Sequence, residues 1–110
     1  MTVITSDDMK QAPAYLIARV KITDPEQYRD YLNATPPIIE KYCGKAIARS
    51  AEPITLEGPD ETRRIVILQF PSVTKAEEFY HSPEYRKARK LREGAAVGEL
   101  IVVEGVTESD

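Results

Sequence analysis

The single histidine of the chain lies beside two other polar side chains that could take part in chemistry. His81 is followed directly by Ser82 and, four residues on, by Tyr85. An imidazole titrates near neutral pH and can serve as a general base or as a hydrogen-bond donor to a ligand. The favoured alternative is structural: His81 stands at a helix corner, where its imidazole meets free carbonyl groups. Ser82 and His81 do not form a catalytic pair, because sequence neighbours generally point apart.

Charged side chains form the second set of candidates. They are Arg49, Glu57, Arg63, Arg64 and Arg92. A guanidinium group can present a planar pair of N–H donors to a substrate carboxylate. The same side chains can instead pair with one another, and exposed ion pairs contribute little stability. Structural pairing is the favoured interpretation of each residue at this stage.

Neither a metal nor an organic cofactor is required by the sequence. Cys43 is the only cysteine and His81 the only histidine, and one of each does not complete a zinc site. The sequence has no HExxH motif, no phosphate-binding glycine loop and no nucleophile elbow. A lone cysteine also forms no intrachain disulfide, which favours a reducing compartment and a cytoplasmic protein.

Length and composition indicate one soluble globular domain. The chain has 110 residues, of which 42% are hydrophobic and 30% charged. The net charge of -3 does not favour nucleic acid as a partner. No apolar run approaches the roughly 20 residues that cross a bilayer, so no membrane partner is expected. We predict a flexible tail over residues 1–13, a domain over 14–105 and a second tail over 106–110.

Secondary-structure signals in the first half begin with a strand over Ala14–Ile22, rich in β-branched and aromatic residues. Asp24 caps a helix that has Pro25 at its first position and ends at Gly44. Within this helix, the Pro36-Pro37 pair predicts a kink or a split. Two strand pieces follow, and the proline between them is typical of a sheet edge. They are Lys45–Ser50 and Ile54–Glu57, separated by Pro53.

The second half begins, after a turn-rich loop over 57–62, with a strand over Arg63–Phe70. This strand is apolar on both faces in its middle, which is typical of a central strand. Ser72 or Thr74 caps a helix, and Ser82 then caps another one because Pro83 suits a first helical position. The last predicted strand is Glu99–Gly105.

The order β-α-β-β-α-β predicts an α+β fold, a ferredoxin-like sandwich with both helical regions on one face of an antiparallel sheet. The first and third strands, the most apolar ones, belong in the middle of this sheet. If Leu16 and Leu68 face the helices, then apolar residues remain on the opposite, open face. They are Tyr15, Ile17, Ile65 and Ile67. Such a patch favours a sheet-to-sheet homodimer, a dimeric α/β barrel.

Recognition of RNA is a further possibility to consider, because RNA recognition modules share this topology. Those modules stack bases on exposed aromatic side chains of the third strand. The corresponding positions here are occupied by Ile65 and Ile67, which are aliphatic. Together with the acidic net charge, this argues against nucleic acid binding.

Several stretches together resemble a known family. They are "TDPEQYRDY", "LEG", "RRIVILQFPS", "YHSPEYRKA" with Arg92 downstream, and "VVEG". Over Ala14 to Gly105 the chain resembles domain of unknown function 1330, a bacterial family in the dimeric α/β barrel superfamily. The resemblance implies a ferredoxin-like protomer and a sheet-to-sheet homodimer. It implies no reaction, since the superfamily includes cofactor-free monooxygenases, dehalogenase-like and isomerase-like proteins, stress proteins and haem-degrading enzymes.

The resemblance also directs attention to particular residues. It favours Glu57, Arg64 and Arg92 among the charged candidates. The family tends to have a Gly-Gly pair where this chain has Cys43-Gly44, which implies that Cys43 is a local substitution rather than a nucleophile.

Two functional hypotheses follow. The first is a homodimeric protein of unknown function that binds a small organic molecule without catalysis. The alternative is a cofactor-independent enzyme, monooxygenase-like or isomerase-like, whose base is His81 or a buried carboxylate. In both, the ligand lies between helices and sheet, a space that the inward-facing Tyr28, Tyr31 and Tyr85 can line. The expected ligand-binding residues are His81, Tyr85, Arg64, Glu57 and Arg92, and the catalytic residues are unknown.

Overall fold

The computed structural model describes residues 12–107. Of the predicted tails, residues 1–11 and 108–110 lie outside the described residues. The elements are β1 (Ala14–Ile22), α1 (Pro25–Lys41), β2 (Lys45–Ser50), β3 (Arg64–Phe70), α2 (Val73–His81), α3 (Pro83–Lys90) and β4 (Ala96–Glu104). This order confirms the βαββαβ prediction, with the second helical region divided into α2 and α3.

The four strands form one antiparallel sheet in the order β2-β3-β1-β4. The prediction that the first and third strands lie in the middle is confirmed. Alternate residues of these two strands are buried beneath the helices, among them Leu16, Leu68 and Phe70. Together with Phe79 and Tyr85 from the helices they form the main core cluster.

Side-chain caps fix where each helix begins. Asp24 and Ser72 each accept a hydrogen bond of 3.1 Å from the backbone N–H three residues on. Ser82 accepts one of 3.0 Å from the N–H of Tyr85 and donates one of 2.8 Å to the carbonyl of Phe79. Because Ser82 ends α2 and begins α3, its hydroxyl sets the corner between the two helices.

The Pro36-Pro37 pair does not split α1, which runs unbroken from Pro25 to Lys41. Of the two predicted outcomes, a kink or a split, the split is therefore excluded. Prolines remove hydrogen bonds only locally, and packing on both sides of the pair keeps the helix in place. Thr35 before the pair is buried, and Ile39 after it packs against the main core cluster.

Cys43, and not Gly44, is the left-handed residue that ends α1. Cys43 has a φ of 64°. Its N–H donates to the carbonyl of Glu40 at 2.9 Å, and the N–H of Gly44 donates to that of Ile39 at 2.8 Å. These two bonds are those of a Schellman motif. The prediction that Gly44 is the stop residue is therefore corrected by one position.

Gly44 is required for a different reason. A Cβ atom at this position would lie 2.5 Å from the ring of Phe70. The close approach of the backbone to this ring leaves space for glycine alone. The chain thus enters β2 pressed against the core.

The predicted strand piece Ile54–Glu57 is wrong, because these residues lie in a loop between β2 and β3. Ile54 and Leu56 are 85% and 93% exposed. The loop is held by a side chain instead of by strand pairing, since the hydroxyl of Thr55 accepts a 2.8 Å hydrogen bond from the N–H of Glu61. Composition favoured a strand here, but no neighbouring strand pairs with it.

The last strand begins three residues before its predicted start. Ala96 pairs with Ile22 and Val97 with Lys21, so β4 runs along the whole length of β1. This extension includes Gly98, a residue that weakens a strand prediction from sequence.

The open face of the sheet carries a row of three isoleucines. Ile17 lies beside Ile67 on one side and beside Ile101 on the other. Tyr15 pairs with Val103 in the next row. Ile101 and Val103 are 46% and 44% exposed, so the open face is apolar, as the sequence predicted.

An ion cluster borders this face beside Arg19. Arg63 donates from Nε and Nη2 to the two carboxylate oxygens of Glu61, both at 2.8 Å, and from Nη1 to Glu99 at 2.6 Å. Hydrogen bonds from Arg63 lower the pKa of Glu61 from 4.5 to about 2. Arg63 is therefore committed to structural pairing.

Stability should depend on this cluster in acid. Because the folded-state pKa of Glu61 is depressed, its contribution is present above about pH 4.5 and is lost as the pH falls towards 2. Thermal melts should show Glu61→Gln less stable than wild type at pH 6, with the gap closing by pH 2. Glu57→Gln is the control, since Glu57 is exposed on the same loop. A gap between wild type and Glu61→Gln that does not change with pH would contradict this assignment.

Candidate functional site

A cleft of about 460 Å³ lies between the sheet and the helices. Its floor is the helix-facing side of β1 and β3, and its walls come from α1 and from Tyr85 of α3. Most lining side chains are apolar or aromatic, as in small-molecule sites. They include Leu16, Ala18, Val20, Tyr28, Tyr31, Ile39, Val66, Leu68, Phe79 and Tyr85. The charged lining residues are Glu40, Lys45, Arg49, Arg64 and Arg92.

Two tyrosine hydroxyls meet in the cleft. The hydroxyl of Tyr31 lies 2.6 Å from that of Tyr85, a hydrogen bond that joins α1 to α3. The ring of Tyr28 packs 5.3 Å from that of Tyr31. Burial raises the pKa of Tyr31 well above its ordinary value, so this hydroxyl is protonated at neutral pH and acts as a donor or acceptor of hydrogen bonds.

Arg92 places a positive charge beside this pair. Its guanidinium carbon lies 5.4 Å from the centroid of the Tyr31 ring, within the range of a cation–π contact. Desolvation lowers the pKa of Arg92, but the hydroxyls of Tyr85 and Tyr31 outweigh it and raise the pKa overall. The tyrosine pair therefore stands in a positive field.

Arg64 is the least satisfied polar side chain of the cleft. Its Nε is buried and has no hydrogen-bond acceptor among residues 12–107. None of the ion pairs within this range includes Arg64. Burial raises the pKa of Tyr28, and the charge of Arg64 acts in the opposite direction, which places the guanidinium near that hydroxyl.

The structure brings together three of the five predicted ligand-binding residues. Tyr85, Arg64 and Arg92 line the cleft, and the other two do not. Glu57 is exposed on the loop between β2 and β3. His81 is exposed at the last position of α2, at the helix corner that the sequence predicted.

His81 borders a second depression of about 340 Å³. This depression lies between α2 and β4 and is lined also by Glu77, Tyr80 and Val102. The His81 ring stands edge-on to that of Tyr80, with centroids 5.2 Å apart. His81 is thus separate from the tyrosine and arginine groups of the cleft.

Structural pairing was the favoured interpretation of Arg64 and Arg92, and the described residues do not bear it out. The carboxylates of Glu61 and Glu99 are bonded by Arg63 instead. Arg92 contacts aromatic groups, and Arg64 forms no ion pair with any residue in the described range 12–107. Arg63 pairs with carboxylates and Arg64 lines the cleft because successive side chains along a strand point to opposite faces of the sheet.

The sequence did not assign Tyr31 to the binding set, although its helical spacing with Tyr28 placed it on the inward face. The hydroxyl pair was not predictable, because Tyr31 and Tyr85 are 54 residues apart and meet only when α1 packs on α3. Among residues 12–107, no three His, Cys, Asp or Glu side chains lie close enough together to hold a metal ion. No helix in that range is both long and apolar enough to span a bilayer.

Removing the Tyr31 hydroxyl should destabilise the domain. Tyr85 is 1% exposed, and in Tyr31→Phe its hydroxyl loses the hydrogen bond to Tyr31 while Arg92 remains beside it, at a cost of about 0.5–1.5 kcal/mol. The double variant Tyr31→Phe/Tyr85→Phe should lose less than the sum of the two single variants. Urea unfolding of all four proteins measures this coupling. Additive losses would mean that the two hydroxyls do not stabilise one another.

These features define a ferredoxin-like α+β domain with a tyrosine- and arginine-lined cleft. The model of one family, the domain of unknown function DUF1330, matches residues 13–106. The chain therefore belongs to the DUF1330 family, and the resemblance noted from the sequence is confirmed. No curated protein matches the chain.

Solved structures share this fold. A protein of unknown function from Rhodopseudomonas palustris is 23% identical, with a TM-score of 0.72 over 97% of this chain and 95% of that one. The cofactor-independent oxygenase SnoaB from Streptomyces nogalater is 8% identical, with a TM-score of 0.63 over 87% and 95%. A dimeric protein of unknown function from Bacteroides fragilis is 13% identical, with a TM-score of 0.52 over 86% and 97%. At these identities the likeness shows the ferredoxin-like fold alone.

Proposed function

We propose that this protein binds a small organic molecule in the cleft between the sheet and the helices. The observation that carries the proposal is the cleft itself, whose volume of about 460 Å³ is that of small-molecule sites. An apolar floor would bury the body of a ligand, while hydroxyl and guanidinium groups would orient it. Tyr85, Arg64 and Arg92 remain in the proposed binding set, to which Tyr31 is added.

A fragment screen by NMR tests this proposal. Fragments that bind should shift the amide signals of cleft residues such as Tyr31 and Tyr85. Val66→Phe should abolish these shifts, because Val66 lines the cleft and a phenyl ring would fill it. Leu56→Phe adds the same ring on an exposed loop and should leave binding unchanged. Fragments that shift only residues around His81, or none that bind, would refute the proposal.

Catalysis without a cofactor is the second candidate, and the Tyr31–Tyr85 hydroxyl pair favours it. Two protonated hydroxyls beside Arg92 can stabilise negative charge that develops on a ligand oxygen. We propose abstraction of a proton from the carbon next to a ligand carbonyl, with that proton passing to Glu40, the one carboxylate among the described lining residues. The resulting enolate oxygen would accept a hydrogen bond from the hydroxyl whose proton is not used between the two tyrosines. The likeness of fold to a cofactor-independent oxygenase supports this candidate by analogy only.

Deuterium exchange separates the two candidates. A carbonyl-containing fragment found in the cleft should exchange its adjacent C–H for deuterium in heavy water if the protein is an enzyme. Glu40→Gln should then abolish exchange while retaining binding, and Asn33→Gln, also exposed on α1, should retain both exchange and binding. Binding without exchange above the solvent rate would leave the purely binding function standing.

We also propose that two copies of the chain associate through the open faces of their sheets. Ile17, Ile67 and Ile101 support this, since a dimer would bury the part of each side chain that is still exposed. Each would contribute less than the roughly 1.5–3 kcal/mol of a side chain that starts fully exposed. A structural neighbour is itself dimeric. Sedimentation equilibrium at micromolar concentration should give twice the chain mass of 12.4 kDa. A monomer mass would refute this assembly.

A further inference from the structure

We infer that the ligand of the cleft is an organic carboxylate, whose carboxylate group is held by Arg64. This inference rests on the proposed binding function and specifies its ligand. It is carried by the buried Nε atom of Arg64, which has no acceptor among residues 12–107, and by the charges that surround the cleft.

The cleft is cationic in a protein whose overall charge is negative. Four of its described lining residues are cationic, namely Lys45, Arg49, Arg64 and Arg92, and Glu40 is anionic. The whole chain carries a net charge of -3. Charges of one sign along a cleft with apolar walls concentrate counter-ions there. The lining therefore selects an anion from among small molecules.

Arg64 is the member of this set that most needs a counter-charge. Its Nε is buried without an acceptor among the described residues, and a buried N–H donor that makes no hydrogen bond opposes folding. The carboxylates of Glu61 and Glu99 do not pair with it, because both bind Arg63. A ligand carboxylate would supply the missing negative charge, and a guanidinium matches its planar shape.

Arg92 is the other arginine of the cleft that is partly buried, and it has a different role. Arg92 lies against the Tyr31 ring, and the hydroxyls of Tyr31 and Tyr85 already neighbour it. Arg92 can add to the positive potential of the cleft, but unlike Arg64 it already has polar and aromatic contacts. The carboxylate anchor is therefore assigned to Arg64.

The rest of the ligand must be apolar. Leu16, Ala18 and Val66 form the floor, and Tyr28 offers an aromatic ring near Arg64. A bare inorganic anion would leave these surfaces exposed to water. A carboxylate on a planar or aliphatic body would cover them and pair with Arg64 at the same time.

Matched acid and amide probes test the inference directly. Benzoate, cinnamate and 1-naphthoate should bind in the cleft at least tenfold more tightly than the corresponding amides, which have the same shape without the charge. Chemical-shift titration gives the dissociation constants and the place of binding. Inorganic phosphate should bind more weakly than the three carboxylates, and equal binding would overturn the inference by showing a simple anion site.

Arg64→Gln should remove the preference for acids over amides. Arg86→Gln, which changes an exposed arginine on α3, should keep it. The 15N–1H signal of the Arg64 Nε group gives a second readout in the wild type, and it should shift on addition of benzoate but not of benzamide. This readout decides the question even if Arg64→Gln does not fold.

The outcomes separate the two proposals. If amides enter the cleft as tightly as acids, or the Arg64 Nε signal stays unmoved while acids bind there, the carboxylate inference is overturned and the binding function stands. If neither acids nor amides enter the cleft and the fragment screen also fails, the binding function itself is refuted.

Discussion

Ile17→Lys is expected to dissociate the proposed dimer into monomers. Ile17 occupies the middle of the open face, between Ile67 and Ile101. In a sheet-to-sheet dimer the substitution would bury two ammonium groups, one from each copy, and each costs several kcal/mol to desolvate. The dissociation constant should therefore rise on the order of a thousandfold or more.

Sedimentation velocity across a concentration series measures this change. Thr74→Lys is the matched control, because it adds the same charge on the exposed surface of α2 and should leave the dimer intact. Circular dichroism must show that Ile17→Lys is folded. A folded variant that remains dimeric at wild-type concentrations would show that the open face is not the interface.

Phe79→Ala is expected to have the largest effect on the stability of the protomer. Phe79 is 2% exposed, and its ring centroid lies 4.6 Å from that of Tyr85 and 5.2 Å from that of Phe70. Truncation would remove an aromatic ring from the centre of the main core cluster, at a cost of about 3–5 kcal/mol. This is a large part of the 5–15 kcal/mol typical of a whole domain.

Guanidinium unfolding should show this loss as a lower midpoint. Leu56→Ala is the control, since it also truncates an apolar side chain but one that is 93% exposed, and it should change stability by less than about 0.5 kcal/mol. Phe79 also lines the cleft, so the variant should bind cleft fragments less tightly. Equal midpoints for the two variants would contradict the position given to Phe79 in the core.

The order of elements could be predicted because its signals are local. Asp24, Ser72 and Ser82 each accept the backbone N–H that a cap accepts, and the two most apolar strands lie in the middle of the sheet. Such choices involve residues a few positions apart.

The errors fall where distant parts of the chain decide the outcome. Ile54 and Leu56 have strand-like side chains, but a strand also needs a partner and these residues have none. In contrast, the residue types of Val97 and Gly98 predicted a strand only weakly. These residues belong to β4 because they pair with β1. Pairing overrides propensity in both cases.

The location of the cleft between helices and sheet could be predicted from the sequence, but the contacts among its lining residues could not. Helical spacing put Tyr28, Tyr31 and Tyr85 on inward faces, and all three line the cleft. The direction of Arg64 into the cleft and of Arg63 to an ion cluster depends on the exact register of β3. A shift of one residue would exchange their roles.

The end of α1 gives a physical meaning to each position of an expected Gly-Gly pair. The first position needs a left-handed backbone, which Cys43 adopts at a conformational cost of about 1–2 kcal/mol. The second position needs the absence of a side chain, because the Phe70 ring lies where a Cβ would be. These are two separate constraints, one on dihedral angle and one on volume. A related chain can therefore replace the first glycine and remain folded. Replacing the second glycine also requires a smaller side chain in place of Phe70, so Gly44 and Phe70 must change together in any descendant of this sequence.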